Sequence, residues 1–247
     1  SLSRNTRKET GGVSLPRLRL EKCINKDGRW LIDQEQAHHL IRVRRCSEGS
    51  LAEGLLSGEK VQLRISCEGE LVYAEELSRE AETAQPIELH LILALLKSDQ
   101  FDQSLRFAAE TGVHTIHLLA CERSVPRYSG IKLKEKMSRW EKILDEATRQ
   151  AGSALPPVLL EPVSLKDLDP DMLPDCRLAA ILSSDADTLS KAEIMSPVAI
   201  AIGPEGDWSP YEIELLLKRG FKPVSLGKRI LRASTAVAVA CGWFSMD

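Results

Sequence analysis

The residues best able to do chemistry lie in two short glycine-bearing loops near the C-terminus. The first reads Ile202-Gly203-Pro204-Glu205-Gly206-Asp207-Trp208-Ser209-Pro210, the second Leu226-Gly227-Lys228-Arg229-Ile230-Leu231-Arg232, with Ser234-Thr235-Ala236 just after it. Glycine lets backbone approach a ligand closely and present its own N–H and C=O groups. The pair therefore points to a small-molecule pocket built largely from backbone. The first loop is neither a GxxxxGK[ST] phosphate loop nor a dinucleotide GxGxxG fingerprint, and Gly-Pro-Glu-Gly taken alone reads as a turn. The second loop sets three cations beside apolar residues. An arginine there can pair with a carboxylate, Glu205 being the obvious one, or grip a phosphate.

The elements that must hold these loops are readable. Ser209 suits an N-cap, Pro210 the first helical position, and Glu212 completes a capping box. Ile213, Leu216 and Leu217 then fall on one helical face, and Gly220 sits where a left-handed cap closes a helix. The flanking runs 198–202 and 221–226 read as short buried strands, with a final apolar helix after the second loop. Loops at the carboxyl ends of parallel strands are where open α/β sheets bind ligands.

Upstream, strand-like runs at 87–96, 115–120 and 178–182 alternate with helical stripes. One stripe runs from Phe101 to a stop at Gly112; the other carries Leu133, Met137, Trp140, Leu144 and Ala147. That alternation predicts an α/β domain with a mainly parallel sheet. Before residue 85 the chain changes character. Short β segments (18–24, 30–32, 61–65, 71–74) are punctuated by Asp27-Gly28, Glu48-Gly49 and Ser57-Gly58, a pattern favouring a small β-barrel or sandwich. A helix around 35–43 interrupts it, and the polar run 78–86 reads as a linker.

With 247 residues, 43% hydrophobic and 28% charged, the composition is that of an ordinary globular protein. The net charge of −3 does not advertise nucleic-acid binding, but residues 1–45 carry eleven Lys/Arg against five Asp/Glu. A local basic patch can steer RNA on a globally acidic protein. The six cysteines are scattered without CxxC or Cys/His ligand spacing, so neither a disulfide framework nor a metal site is expected, and a reducing cytoplasm is the expected home. His114 and His117 read as packing residues. No apolar run approaches membrane-spanning length, and residues 1–14 read as a flexible tail or an expression remnant.

Taken together the motifs resemble the RsmE family of SPOUT methyltransferases, which transfer a methyl group from S-adenosylmethionine to N3 of a uridine in 16S rRNA. The likeness rests on Ile202-Gly203-Pro204-Glu205-Gly206, Ser209, Glu212, Gly220-Phe221, Leu226-Gly227, Arg229-Ile230-Leu231-Arg232 and Thr235-Ala236. It extends to Ala37-His38-His39-Leu40, Leu95-Leu96-Lys97, Glu122-Arg123-Ser124-Val125 and Arg139-Trp140. The resemblance implies an N-terminal PUA-like β-barrel over 15–84 that helps bind RNA, and a SPOUT α/β domain over 85–247 closed by a C-terminal trefoil knot. It implies S-adenosylmethionine held by Leu182, Ile202, Gly203, Pro204, Glu205 and Gly206 on one side, and by Leu226, Gly227, Ile230, Leu231 and Thr235 on the other. Arg123 and Arg232 become the catalytic candidates, gripping RNA or orienting the base. Arg17, Arg19, His38, His39, Arg42 and Arg45, again with Arg123, become the RNA-binding set. The implied partners are 16S rRNA in the small ribosomal subunit and a second copy of the chain in a homodimer. Two positions depart from the family pattern: Ser234 stands for the usual Glu and Ser153 for the usual Arg. A catalytically silent RNA-binding or ribosome-assembly protein, and a ribose 2′-O methyltransferase, remain the alternatives on the same fold.

Overall fold

The computed structural model describes residues 15–82, 87–124, 126–153, 155–182 and 186–246. The tail expected at 1–14 lies outside them. The chain divides into two compact units, Ser1–Glu82 and Thr83–Asp247.

The first unit holds β1 (Arg17–Arg19), β2 (Ile24–Lys26), β3 (Arg29–Leu31), the short helix α1 (Gln34–His38), β4 (Leu51–Leu56), β5 (Glu59–Glu68) and β6 (Leu71–Ala81). One six-stranded sheet runs in the order β1-β4-β5-β6-β3-β2, antiparallel except for the parallel β1–β4 pair. Its register follows from side-chain alternation. Val61, Leu63 and Ile65 of β5 point into the core, while Gln62 and Arg64 between them are exposed. Between β2 and β3, Asp27 and Gly28 both take positive φ (54° and 82°), as a two-residue hairpin loop requires. Asp33 caps α1 by accepting from the Glu35 and Gln36 N–H groups, and a π-type turn, His39–Val43, continues it. Sequence expectations fail here in three places. The run 18–24, read as one β segment, is split into β1 and β2 by a 3-10 turn at Leu20–Lys22, and β4 went unread. Ser78 to Ala81, taken as the start of a linker, belong to β6 and pair with β5. All four are exposed and the first three polar, so backbone pairing and the Arg79–Glu59 ion pair rather than burial hold them, and no apolar alternation marked them as a strand.

The second unit contains β7 (Leu89–Ala94), α2 (Ser98–Glu110), β8 (Thr115–Leu119), α3 (Gly130–Ala151), β9 (Val158–Val163), β10 (Cys176–Ala180), β11 (Asp187–Thr188), β12 (Val198–Ile202), α4 (Pro210–Lys218), β13 (Lys222–Ser225) and α5 (Ala233–Phe244). The seven strands form one wholly parallel sheet in the order β11-β13-β10-β12-β7-β8-β9. Both faces are covered, as a parallel sheet demands. Leu89, Leu91 and Leu93 of β7 face α2, α3 and α5, while Ile92 and Ala94 face the layer that carries Trp208, Leu216 and Phe221. That two-sided burial makes β12 a continuous apolar run and leaves β7 and β8 apolar but for His90, Thr115 and His117. β9 escaped the sequence reading because it is an edge strand, only partly buried and interrupted by Pro162, a residue tolerated at edges. Burial holds the His117 imidazole well below its usual range, at about 4, with His90 adding to the shift. Among the described residues no helix is long and apolar enough to cross a membrane.

Gly54 on β4 offers a direct test of packing in the first unit. A Cβ there would lie 2.5 Å from Leu20 Cδ1, 2.9 Å from Leu20 Cγ and 2.9 Å from Leu63 Cδ1, and both leucines are fully buried. Gly54→Val is expected to cost about 1–3 kcal/mol through overpacking, read as a lower urea midpoint for the transition of this unit.

Candidate ligand-binding site

The two glycine loops meet at the carboxyl ends of β10, β12 and β13, which are neighbours in the sheet. They frame a cavity of 810 Å³. Its wall is mostly apolar or backbone: Ile181 and Leu182 follow β10, Ile202 ends β12 with Gly203 and Pro204 after it, and Leu226, Gly227, Ile230 and Leu231 follow β13. Lys228, Arg229 and Arg232 stand exposed on the second loop and line the same cavity. Sites for drug-sized ligands run from about 300 to 1,000 Å³ and are predominantly apolar with a few placed polar groups. A shallower depression of 590 Å³ lies along the outer side of α3, but mainly charged surface side chains such as Lys134, Arg139 and Lys142 line it.

The first loop is held from several directions. Ser209 caps α4 by accepting from the Glu212 N–H at 3.2 Å. The Glu212 side chain returns to the Ser209 N–H at 2.9 Å, and its other oxygen accepts from the Glu122 N–H at 2.9 Å. Glu212 is only 3% exposed, so it stitches the segment after β8 to the start of α4 from inside. Its neighbour Cys121 is buried too; burial first, then the Glu212 carboxylate, push that thiol well above its ordinary range and make it a poor nucleophile. Arg123 donates to the carbonyls of Gly206 (2.9 Å) and Trp208 (3.3 Å). Trp208 Nε1 donates to the Ala180 carbonyl at 3.0 Å, tying the loop to the end of β10. The Lys97 N–H donates to Glu205 Oε1 at 2.8 Å, tying it to the segment after β7.

Gly203 has a steric reason. A Cβ there would lie 2.9 Å from Trp208 Cε2, so only a glycine lets the buried indole pass beneath the loop. Gly206 packs against Arg123, with a built Cβ 3.2 Å from the arginine Cβ. The loop thus keeps its backbone edge toward the cavity because the indole and the guanidinium occupy its back.

Of the residues expected to hold cofactor, Leu182, Ile202, Gly203, Pro204, Glu205, Leu226, Gly227, Ile230 and Leu231 line the cavity. Gly206 lies behind the loop on Arg123, and Thr235 is exposed on α5, where Ala233 and Ala236 line the cavity instead. Arg232 lines it; Arg123 grips the loop from behind. Sequence reasoning missed Gln100, Thr188 and Ser225, which reach the cavity from α2, β11 and β13. Only the sheet order brings those segments together. Ser234 is buried in the first turn of α5 and Ser153 follows the Gly152 cap of α3, so neither departure from the family pattern lines the cavity.

In the first unit, His38, His39, Arg42 and Arg45 are exposed on α1 and the turns after it. Arg17 is paired with Glu53 at 2.8 Å, and Arg19 is 7% exposed, its backbone bracketed by the Gln36 amide. Burial keeps the Arg19 side chain off the surface where an RNA contact would be made.

Fold and cavity define the class: a parallel α/β domain with a ligand cavity at the carboxyl ends of its strands. Residues 83–245 match the family described as RNA methyltransferase domain. The chain is 30% identical to ribosomal RNA small subunit methyltransferase E of Synechocystis sp., over 83% of this chain and 69% of that one. It is 27% identical to the protein of the same name in Bacillus subtilis, over 83% and 85%. Among solved structures, ribosomal RNA small subunit methyltransferase E of Neisseria gonorrhoeae, bound to S-adenosyl methionine, superposes with a TM-score of 0.81 at 25% identity, covering 93% of this chain and 96% of that one. A Legionella pneumophila structure with bound cofactor SAM gives 0.82 at 26% identity, covering 94% and 97%. The chain belongs to the ribosomal RNA small subunit methyltransferase E family of RNA methyltransferases.

Removing the Glu212 side chain should loosen this face of the domain. Glu212→Ala leaves the Ser209 and Glu122 N–H groups without their acceptor. The cost of such buried unsatisfied donors is about 1–3 kcal/mol, measurable by chemical denaturation. An unchanged midpoint would mean that water reaches both groups.

Proposed function

We propose that the chain is an S-adenosylmethionine-dependent methyltransferase of ribosomal RNA, acting on N3 of a uridine in the 16S rRNA of the small ribosomal subunit. The cavity at the ends of β10, β12 and β13 carries the reading, on a fold that relatives share and bind this cofactor with. Its residues fit the group. The apolar Ile202, Leu226 and Leu231 suit a flat ring, and the loop backbones suit its polar edge. Gln100 Oε1, on a side chain lining the cavity, is buried without a hydrogen-bond partner among the described residues and can accept from a ligand amine or hydroxyl.

Bound there, the cofactor supplies a methyl group already activated on a sulfonium. The chain's own task is to align acceptor and donor and to help the weakly acidic N3 proton leave. Lys228, Arg229 and Arg232 gather RNA phosphates at the cavity rim, where their charge acts through water on a polyanion. Arg232, the residue before α5, orients the target. Arg123 acts through the loop it holds, fixing the carbonyls of Gly206 and Trp208. The base's Watson–Crick edge has to be free, so the uridine enters unpaired or flipped.

The same reading covers the rest of the chain. The six-stranded sheet from Arg17 to Ala81 acts as a PUA-like barrel, offering RNA the exposed His38, His39, Arg42 and Arg45. The C-terminal segment is threaded as a trefoil knot; support comes from β13 inserting between β11 and β10 while α5 returns to pack on α2 and β12. The protein works in the cytoplasm as a homodimer. Exposed apolar residues of α5 and beyond, Val239 and Met246, are in keeping with a covering second copy.

Calorimetry should show one S-adenosylmethionine bound per chain. Incubation with cofactor and unmethylated small ribosomal subunits should give a new reverse-transcription stop at a single uridine. Arg232→Ala is expected to lower the methylation rate at least tenfold while leaving cofactor affinity within about twofold, the pattern of a group that acts on the transition state rather than on ground-state binding. Methyl transfer to a ribose, or no cofactor binding, would sink the proposal in favour of the 2′-O or the silent alternative respectively.

A further inference from the structure

At the opposite, amino-terminal end of the parallel sheet, three histidines and a glutamate gather on one face. Glu88 immediately precedes β7, His90 is its second residue, His114 immediately precedes β8, and His117 is the third residue of β8. His90 Nε2 lies 3.2 Å from Glu88 Oε1, and His114 Nδ1 lies 3.7 Å from the same oxygen. One ligand atom from each of Glu88, His90 and His114 falls within 4.8 Å of the other two. The pairing of β7 with β8 sets His90 opposite Thr115, so two adjacent strands hold the imidazoles side by side. His114 and His117, read from sequence as packing residues, thus belong to a polar cluster.

We propose that Glu88, His90 and His114 form a binding site for a divalent transition-metal ion of the zinc type. Metal–ligand bonds of about 2.0–2.2 Å to imidazole nitrogen and carboxylate oxygen place tetrahedral ligand atoms roughly 3.4 Å apart. The two edges at 3.2 and 3.7 Å bracket that value, and rotation of the exposed Glu88 and His114 side chains closes the third. Two imidazoles and one carboxylate are a donor set that favours zinc and its neighbours over magnesium or calcium, which take oxygen. Three protein ligands on the solvent side leave a position for water. The support behind the ligands is in place as well. His90 Nδ1 lies 3.1 Å from Nε2 of the buried His117, so the ring bonding the ion through Nε2 donates its other N–H to His117, the arrangement that fixes a ligating imidazole. With His90 Nε2 on the ion and its Nδ1 carrying the shared proton, His117 is the Nδ1–H tautomer and accepts at Nε2, so both rings stay neutral. A bound ion would clamp the start of β7 to the start of β8, far along both strands from the cavity at their carboxyl ends.

The test titrates the metal-free full-length chain with Co2+ and then Zn2+. One equivalent of Co2+ should bind, giving d–d bands without a thiolate charge-transfer band, and Zn2+ should displace it. Glu88→Gln and His114→Ala, both at exposed side chains, should each weaken binding at least tenfold, and the double variant should abolish it. S-adenosylmethionine affinity should stay unchanged in all three, which separates this site from the proposed activity. In histidine NMR spectra of the Zn2+ complex, His90 and His117 should both be protonated at Nδ1, with His117 Nε2 as the acceptor. No stoichiometric binding at micromolar metal, a thiolate band from the cysteines, or full binding by the double variant would each overturn the site.

Discussion

The Glu212 carboxylate is almost wholly out of water, yet it sits where the sheet meets its loops. A buried carboxylate is tolerable only when donors replace its hydration, and here the donors are the Ser209 and Glu122 backbone N–H groups. The requirement runs both ways, because those amides also need an acceptor. One side chain therefore fixes where α4 begins and where the segment after β8 lies. Arg123 and Trp208 follow from that placement. The guanidinium takes the carbonyls of Gly206 and Trp208, the indole takes that of Ala180, and Gly203 stays small enough for the indole to pass. The ligand face is a loop held from behind, with its backbone edge free toward the cavity.

The parallel sheet sets the division of labour between its two ends. Strand carboxyl ends open into loops of varied length, and the three that converge here come from β10, β12 and β13, which are adjacent in space but scattered in sequence. At the amino ends of β7 and β8, neighbouring strands set polar side chains such as His90 and His117 against one another. Both clusters are products of strand order rather than of sequence proximity.

Much of this was legible in the chain itself. The capping box of α4 and its cap at Gly220, whose φ is 80°, could be read residue by residue, because capping is local chemistry. Strand β12 was legible because burial on both faces makes it an unbroken apolar run. Other strands were not, β4 and β11 among them. The end of β6 is exposed and is held by backbone pairing and the Arg79–Glu59 ion pair, and β9 is a half-buried edge strand carrying Pro162. Neither leaves the periodic signature on which such reading depends.

The same boundary separates what the sequence could say of function. Local patterns in the chain were enough for an α/β domain, for two glycine loops built to present backbone, and for the family resemblance, since each depends on neighbouring residues. Tertiary structure decided which side chains those loops spend on their own support. Arg123 proved to hold the loop from behind, Arg19 to be buried, and Gln100, Thr188 and Ser225 to reach the cavity from distant segments. It also brought Glu88, His90 and His114 to within 4.8 Å of one another across two strands. Spacing along a chain cannot show such contacts, because the order of strands in a parallel sheet is set by packing over the whole domain.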